Sequence, residues 1–270
     1  MSAVAATIDA LWRHPIKGFT PEAVSECQLC PDAFFPFDRM YAFEVGPVGF
    51  DPENPKTISK MKFAVLARFA AVAKVTTRYD EIEGRLEIRD PGGKAWTFDL
   101  TSEAGRHGLA RHVETVLAPC EDDYDPVAYP LNLLTAPSFD DVHAHFRFTD
   151  SGRGFVSFLN LNSLRDLEQR TGATLDPLRM RANVWLEGLS AFEDHGFVGR
   201  TIRIGDDGPE FEVLKPIVRC IATHVNPETG LRDFDLCTAL WENYRHRDCG
   251  IYARITKGGT VRAGDRVRVF

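Results

Sequence analysis

The sequence predicts a β-rich α+β fold in two parts, and three observations carry that reading. Short runs of Val, Ile, Phe and Tyr, broken by Gly, Pro, Asp and Asn, recur at roughly the 8–12-residue spacing of small barrels and sandwiches. Helical periodicity is confined to three stretches. The 270 residues, 44% hydrophobic and 26% charged, suffice for one large or two small packed domains at about 100–200 residues each.

The elements follow in order. Val4 to Arg13 and Glu22 to Leu29 read as strands, and Met40 to Val45 as a third after the Pro36-Phe-Asp-Arg39 turn. Ala70 to Arg78, Arg85 to Ile88 and Ala95 to Leu100 are strand-like runs separated by Gly84 and by Asp90-Pro-Gly-Gly93. Thr101 to Leu117 is an amphipathic helix, with Thr101 or Ser102 able to cap it and Leu109, Val113, Val116 and Leu117 at helical spacing. Pro119 to Pro137 holds four prolines and an acidic run, so it reads as an extended connector. The expected organisation is therefore residues 1–120 and 121–270, with a connector over 119–140. In the second part, Val142 to Thr149, Phe155 to Leu159, Asn183 to Leu186, Arg200 to Ile204, Glu210 to Val213, Ile217 to Val225 and Cys249 to Ile255 read as strands. Asn162 to Thr171, closed by Gly172, and Leu240 to His246 read as helices, and Thr260 to Phe270 as a terminal hairpin.

Charge and composition exclude whole classes of function. The formal charge is −7, from 32 basic and 39 acidic residues, which argues against a nucleic-acid-coating surface. No run approaches the roughly 20 apolar residues that cross a bilayer, and Met1 to Asp9 lacks the plan of a secretory signal. Six cysteines in this length are too few for a disulfide scaffold, so a cytoplasmic protein with reduced thiols is expected. Gly-x-Gly-x-x-Gly, Walker, Gly-x-Ser-x-Gly and His-Glu-x-x-His motifs are missing, which counts against dinucleotide, nucleotide-hydrolysing, serine-hydrolase and zincin chemistry.

Several residues could carry chemistry. Cys220, in Ile217-Val-Arg-Cys-Ile-Ala-Thr-His-Val225, reads on spacing first as a buried strand cysteine; a thiolate helped by Arg219 and His224 is the alternative. Cys27 and Cys30 form one Cys-x-x-Cys, without the second pair a structural zinc needs. His143 and His145 share a strand face but lack a third ligand. Lys17, beside Gly18 on a loop, and the guanidinium forks of Arg179 and Arg181 can meet an anion, although isolated surface charges look the same in a sequence.

Taken together, these landmarks resemble a known family. Leu11-Trp-Arg-His-Pro-Ile-Lys17-Gly18 and Phe37-Asp-Arg39-Met-Tyr-Ala-Phe43 resemble the opening of the MOSC N-terminal β-barrel domain. Asp150-Ser151, Met180-Arg181-Ala-Asn183-Val184, Gly205-Asp206, Arg219-Cys220-Ile221, Asn226-Pro-Glu-Thr-Gly230 and Gly264-Asp265-Arg-Val267 resemble successive landmarks of the MOSC domain. This is the family of the molybdenum cofactor sulfurase C-terminal domain and the mitochondrial amidoxime-reducing component. The resemblance implies a MOSC N-terminal β-barrel-like domain followed by a MOSC β-barrel, with the site in the cleft between them.

The resemblance also implies a cofactor and its holders. Cys220 would be the ligand of a pterin-bound molybdenum, which overturns the reading from spacing and suits a soft thiolate. Lys17 and Arg39 would meet the pterin and its phosphate, Arg181 the terminal phosphate, and Asn183 would stand beside it. Asp150 and Ser151 match a pocket-lining loop, and Lys60, in Ser59-Lys60-Met61, matches a basic or polar position. The implied activity is reduction of N-hydroxylated small molecules. No iron–sulfur spacing of the Cys-x4-Cys-x2-Cys type occurs, so electrons would come from a separate iron–sulfur or cytochrome protein. Sulfur transfer through a persulfide on Cys220 and non-catalytic carriage of the cofactor are the alternatives. No Schiff-base lysine is indicated.

Overall fold

A computed structural model describes residues 4–90, 92–121, 123–137, 146–150 and 155–270. The alternating first run forms β1 (Val4–Arg13), which buries Ala6, Ile8 and Leu11 and exposes Thr7 and Asp9. The next run breaks at Ser25 into β2 (Glu22–Val24) and β3 (Glu26–Leu29), which join different partners. β4 (Tyr41–Val45) is buried throughout. β5 (Thr76–Asp80), β6 (Arg85–Arg89) and β7 (Ala95–Asp99) make an antiparallel meander. α1 (Glu103–Leu117) is capped by Ser102, whose hydroxyl accepts from Gly105 N at 3.1 Å, and it buries Leu109, Val113 and Leu117. β8 (Leu131–Thr135) pairs with β4. This ribbon, the meander and α1 share one core around Tyr41, Phe43, Val72, Leu86 and Leu109.

The second half supplies β9 (Val156–Asn160), α2 (Leu161–Thr171), β10 (Val184–Glu187), β11 (Thr201–Ile204), β12 (Glu210–Val218), α3 (Leu236–Tyr244), β13 (Asp248–Lys257), β14 (Gly259–Arg262) and β15 (Arg266–Val269). Six of these strands, in the order β10-β9-β13-β12-β11-β15, wrap into a barrel that β1 closes by pairing with both β10 and β15. The first strand of the chain is thus the seventh stave of the C-terminal barrel. Inside, Phe158 and Phe211 meet edge-on with centroids 5.1 Å apart among Ile8, Val184, Ile202 and Ile251. Burying each such side chain stabilises the fold by about 1.5–3 kcal/mol. α2 and α3 pack with Trp185 and Cys249 on the barrel's outside.

The structure corrects some local expectations. Ala70–Lys74 is a 3-10 turn, not the front of a strand; Ala71, Val72 and Ala73 are all buried, so their apolar run has no alternation to distinguish the two. The connector 119–137 contains β8. The runs around Glu210 and Ile217 are one strand, which stops two residues before Cys220. β14 and β15 do not pair with each other: β14 joins β3, and β15 joins β1 and β11. Of Val142 to Thr149, residues 146–149 are not strand and the remainder lies outside the described residues, as do His143 and His145. No helix among the described residues is long and apolar enough to cross a membrane.

Candidate functional site

A cavity of about 370 Å³ opens where the end of β12 meets the loops of the N-terminal half. Lys17, Arg39, Lys60, Asp150, Arg181, Asn183 and Cys220 all line it; Ser151 lies outside the described residues. Among the described residues seven cations and two carboxylates, Asp38 and Asp150, face this cleft in a protein whose net charge is −7. It is therefore a local anion site without a basic field around the whole molecule.

Each cation is set by local backbone. Lys17 is fixed by its N–H donating to Tyr41 O at 2.8 Å, and Gly18 follows with φ +90°. A Cβ at Gly18 would lie 2.7 Å from Val65 Cα and 2.8 Å from Ala64 O, so only glycine fits this turn. Lys17 Nζ donates to Phe148 O at 2.9 Å and pairs with Asp150. Arg39 and Arg181 are both left-handed, with φ of 54° and 53°. Such strain in non-glycine residues collects at functional sites and costs on the order of 1–3 kcal/mol each. Arg39 pairs with Asp38 and donates to Arg181 O at 3.3 Å. Arg181 caps the 3-10 turn Pro177–Met180 and donates through Nη1 to Phe19 O at 2.7 Å.

Cys220 follows β12 where register shifts between Val213 and Lys215 and between Pro216 and Val218 bend the strand off the barrel wall. Its carbonyl accepts from Thr223 N at 3.0 Å and Thr223 Oγ1 at 2.8 Å, which fixes the turn that presents the thiol. Lys60, on a short 3-10 turn of the other half, places Nζ 3.3 Å from Cys220 Sγ and 3.5 Å from Asp150 Oδ2. Arg219 is buried, and its donors go to Met180 O at 2.7 Å and to Cys249 O. It thereby ties the residue before Arg181 to the residue before Cys220. Arg179 is taken up by Asp233 and His224 O. Asn183 is likewise engaged: its amide accepts from Ser157 N and Oγ and donates to Trp12 O, joining β9 to β1.

The electrostatics are those of a site short of negative charge. Burial and the neighbouring Arg39 push the Arg181 guanidinium down to about 9, so it is still charged at neutral pH. Burial also lowers Lys17, against the pull of Asp150. At Lys60 burial opposes the charge, but Asp150 and Cys220 outweigh it and the pKa is raised. Burial would raise Asp150, yet Lys17 and Lys60 hold it down. Burial, with Arg39 and Arg181 behind it, drives His14 to about 3, so this ring is neutral and its Nδ1 faces the Asp38 carboxylate at 3.3 Å.

Comparison with known families matches residues 5–127 to the MOSC N-terminal beta barrel domain and residues 146–268 to the MOSC domain. The chain belongs to the MOSC family. MOSC domains are associated with molybdenum cofactor-binding proteins. No curated protein matches this chain. Among solved structures, the MOSC protein is similar to the YUAD protein from Bacillus subtilis, at 11% identity over 98% of this chain and 94% of that one, with a TM-score of 0.43. It is also similar to YiiM from Geobacillus stearothermophilus, at 18% identity over 43% of this chain and 53% of that one, with a TM-score of 0.32.

The residues of this MOSC protein fit an anionic, thiolate-held cofactor. Arg181 Nη2 is buried and has no hydrogen-bond partner among the described residues, which is the open position an anionic oxygen would fill. Cys220 is the only cysteine lining the cleft among the described residues. Elsewhere among them no group of three or more His, Cys, Asp or Glu side chains could hold a metal ion. Cys27 and Cys30 form no disulfide. Sequence reading missed Lys215, Tyr252, Phe155 and Ser157. They belong to no motif; Lys215, Tyr252 and Ser157 reach the cleft through strand register, Lys215 opposite Tyr252 and Tyr252 opposite Ser157, and Phe155 stands just before β9.

Proposed function

We propose that the cleft binds a pterin-bound molybdenum cofactor and that the protein reduces N-hydroxylated small molecules with electrons from a separate iron–sulfur or cytochrome protein. The observation that supports this most is the convergence on one cavity of a thiol, an ammonium 3.3 Å from it and a buried guanidinium nitrogen without a hydrogen-bond partner among the described residues. Cys220 would hold the metal, and Lys17, Arg39, Lys60 and Arg181 would hold the phosphate and pterin. Asp150 keeps two ammonium groups charged and in place. Asn183 acts from behind, by joining two staves of the barrel wall. When bound, the cofactor supplies two-electron redox chemistry at the metal, and the protein supplies position and charge. The overall reaction is R–NHOH plus two electrons and two protons giving R–NH2 and water.

Purified protein carrying the cofactor, supplied with electrons by a reduced dye, is expected to convert a hydroxylamine to the amine, and Cys220→Ser to lose this turnover. Accumulation of labelled persulfide sulfur on Cys220 instead would assign sulfur transfer. Cofactor retention with neither reaction would assign a carrier.

A further inference from the structure

Among the described residues seven cations line the cleft, and six of them are engaged by carboxylates, carbonyls or the Cys220 sulfur. Lys215 is different. It is exposed and, among the described residues, makes no hydrogen bond or ion pair. Its Nζ lies 5.9 Å from the Phe155 ring centroid and 6.0 Å from that of Tyr252, and these two rings lie 5.5 Å apart at 36°. All three side chains line the cleft. Between Lys215 and Cys220 the cleft is lined by the apolar Pro216, Ile217 and Val218, the last 64% exposed. The mouth therefore offers an aromatic platform, an apolar lip running toward Cys220, and a cation that, among the described residues, meets rings but no hydrogen-bond or ion-pair partner.

We propose that this mouth selects the substrate: a flat, apolar or aromatic N-hydroxy compound with a carboxylate remote from the N–O group, the ring lying on Phe155 and Tyr252 and the carboxylate on Lys215. The inference rests on the reductase reading above. Lys215 is a specificity residue, separate from the cations at the buried end. At about 3.3 Å per residue, the five residues from Lys215 to Cys220 span at most roughly 17 Å, so one small molecule can reach from the ammonium toward the thiol. Rings favour such a surface because aromatic pairs gain from offset or tilted stacking, and the ammonium over them adds cation–π attraction.

The test compares benzohydroxamic acid with 4-carboxybenzohydroxamic acid, each reduced to the carboxamide and water by two electrons from a reduced dye and two protons. With cofactor-loaded wild type, kcat/KM for the carboxylated probe is expected to exceed that for the neutral one by about fivefold, the scale of one partly exposed ion pair. Lys215→Met should abolish the preference between the two probes, and Lys215→Glu should invert it. Calorimetric binding of both probes to the same proteins reads the site without turnover. Discriminating binding without reduction would keep the substrate site and overturn the reductase reading. Equal preference, or equal binding, in wild type and Lys215→Glu would overturn the site itself.

Discussion

Lys60 and Cys220, 160 residues apart in the chain, meet across the cleft with Nζ 3.3 Å from Sγ. One comes from a turn of the N-terminal half and the other from the end of a C-terminal barrel strand. The candidate site therefore exists only when both halves are assembled.

Assembly is enforced by β1, which closes the barrel between β10 and β15. A fragment of residues 121–270 lacks this stave and leaves two open strand edges, which invite aggregation. It is expected to be insoluble or non-cooperative in thermal unfolding, and co-expression with residues 1–120 to restore solubility. A soluble, cooperatively melting fragment would show that the barrel closes without β1.

Arg181 is predicted to trade stability for binding. Its guanidinium is buried beside Arg39 with one nitrogen unpartnered among the described residues, and its lowered pKa means that the charged form is disfavoured in the fold. Arg181→Met should leave the Tm of cofactor-free protein unchanged or raised, while pterin retention falls at least tenfold, the scale of a lost charge-assisted contact. Calorimetry and pterin fluorescence read the two effects separately. A lower Tm with unchanged pterin would refute the assignment.

His14 makes stability depend on pH. Its folded pKa of about 3 lies below the ordinary value of 6.5, so between these values the unfolded chain binds more protons than the native one. Stability is complete above about pH 6.5 and falls on acidification toward pH 3, by up to about 1.4 kcal/mol per pH unit. His14→Asn removes the titrating ring while its amide can still face Asp38. The loss of Tm between pH 7 and pH 5 should be smaller in this variant than in wild type, and an unchanged loss would place the acid sensitivity elsewhere.

Gly18→Ala tests the turn that presents Lys17. The added Cβ would meet the Val65 and Ala64 backbone at a positive φ, so a loss of about 2 kcal/mol or more is expected in denaturant unfolding. A loss below about 0.5 kcal/mol would mean that the turn relaxes.

The legible parts of this molecule were those written in contiguous residues. Arg219-Cys220 followed by Asn226-Pro-Glu-Thr-Gly230 pointed to the thiol through family resemblance, and Ser102 and Gly172 marked helix ends through their capping chemistry. Pairings between distant strands left no such mark. Nothing in Val4 to Arg13 shows that it lies between β10 and β15, and the turn at Gly264-Asp265 looks like a hairpin although its strands enter different sheets. Lys215 and Tyr252 share the cleft because they are register partners 37 residues apart, a relation that spacing along one strand does not contain.

Cys220 and the cations around it are proposed to hold a molybdenum–pterin cofactor. Molybdenum and pterin per chain should be measured in protein purified from a host that makes the cofactor. Near one molybdenum per chain in wild type, lost in Cys220→Ala at unchanged Tm of the cofactor-free proteins, is the predicted result. Equal molybdenum in Cys220→Ala, or none in wild type, would contradict it.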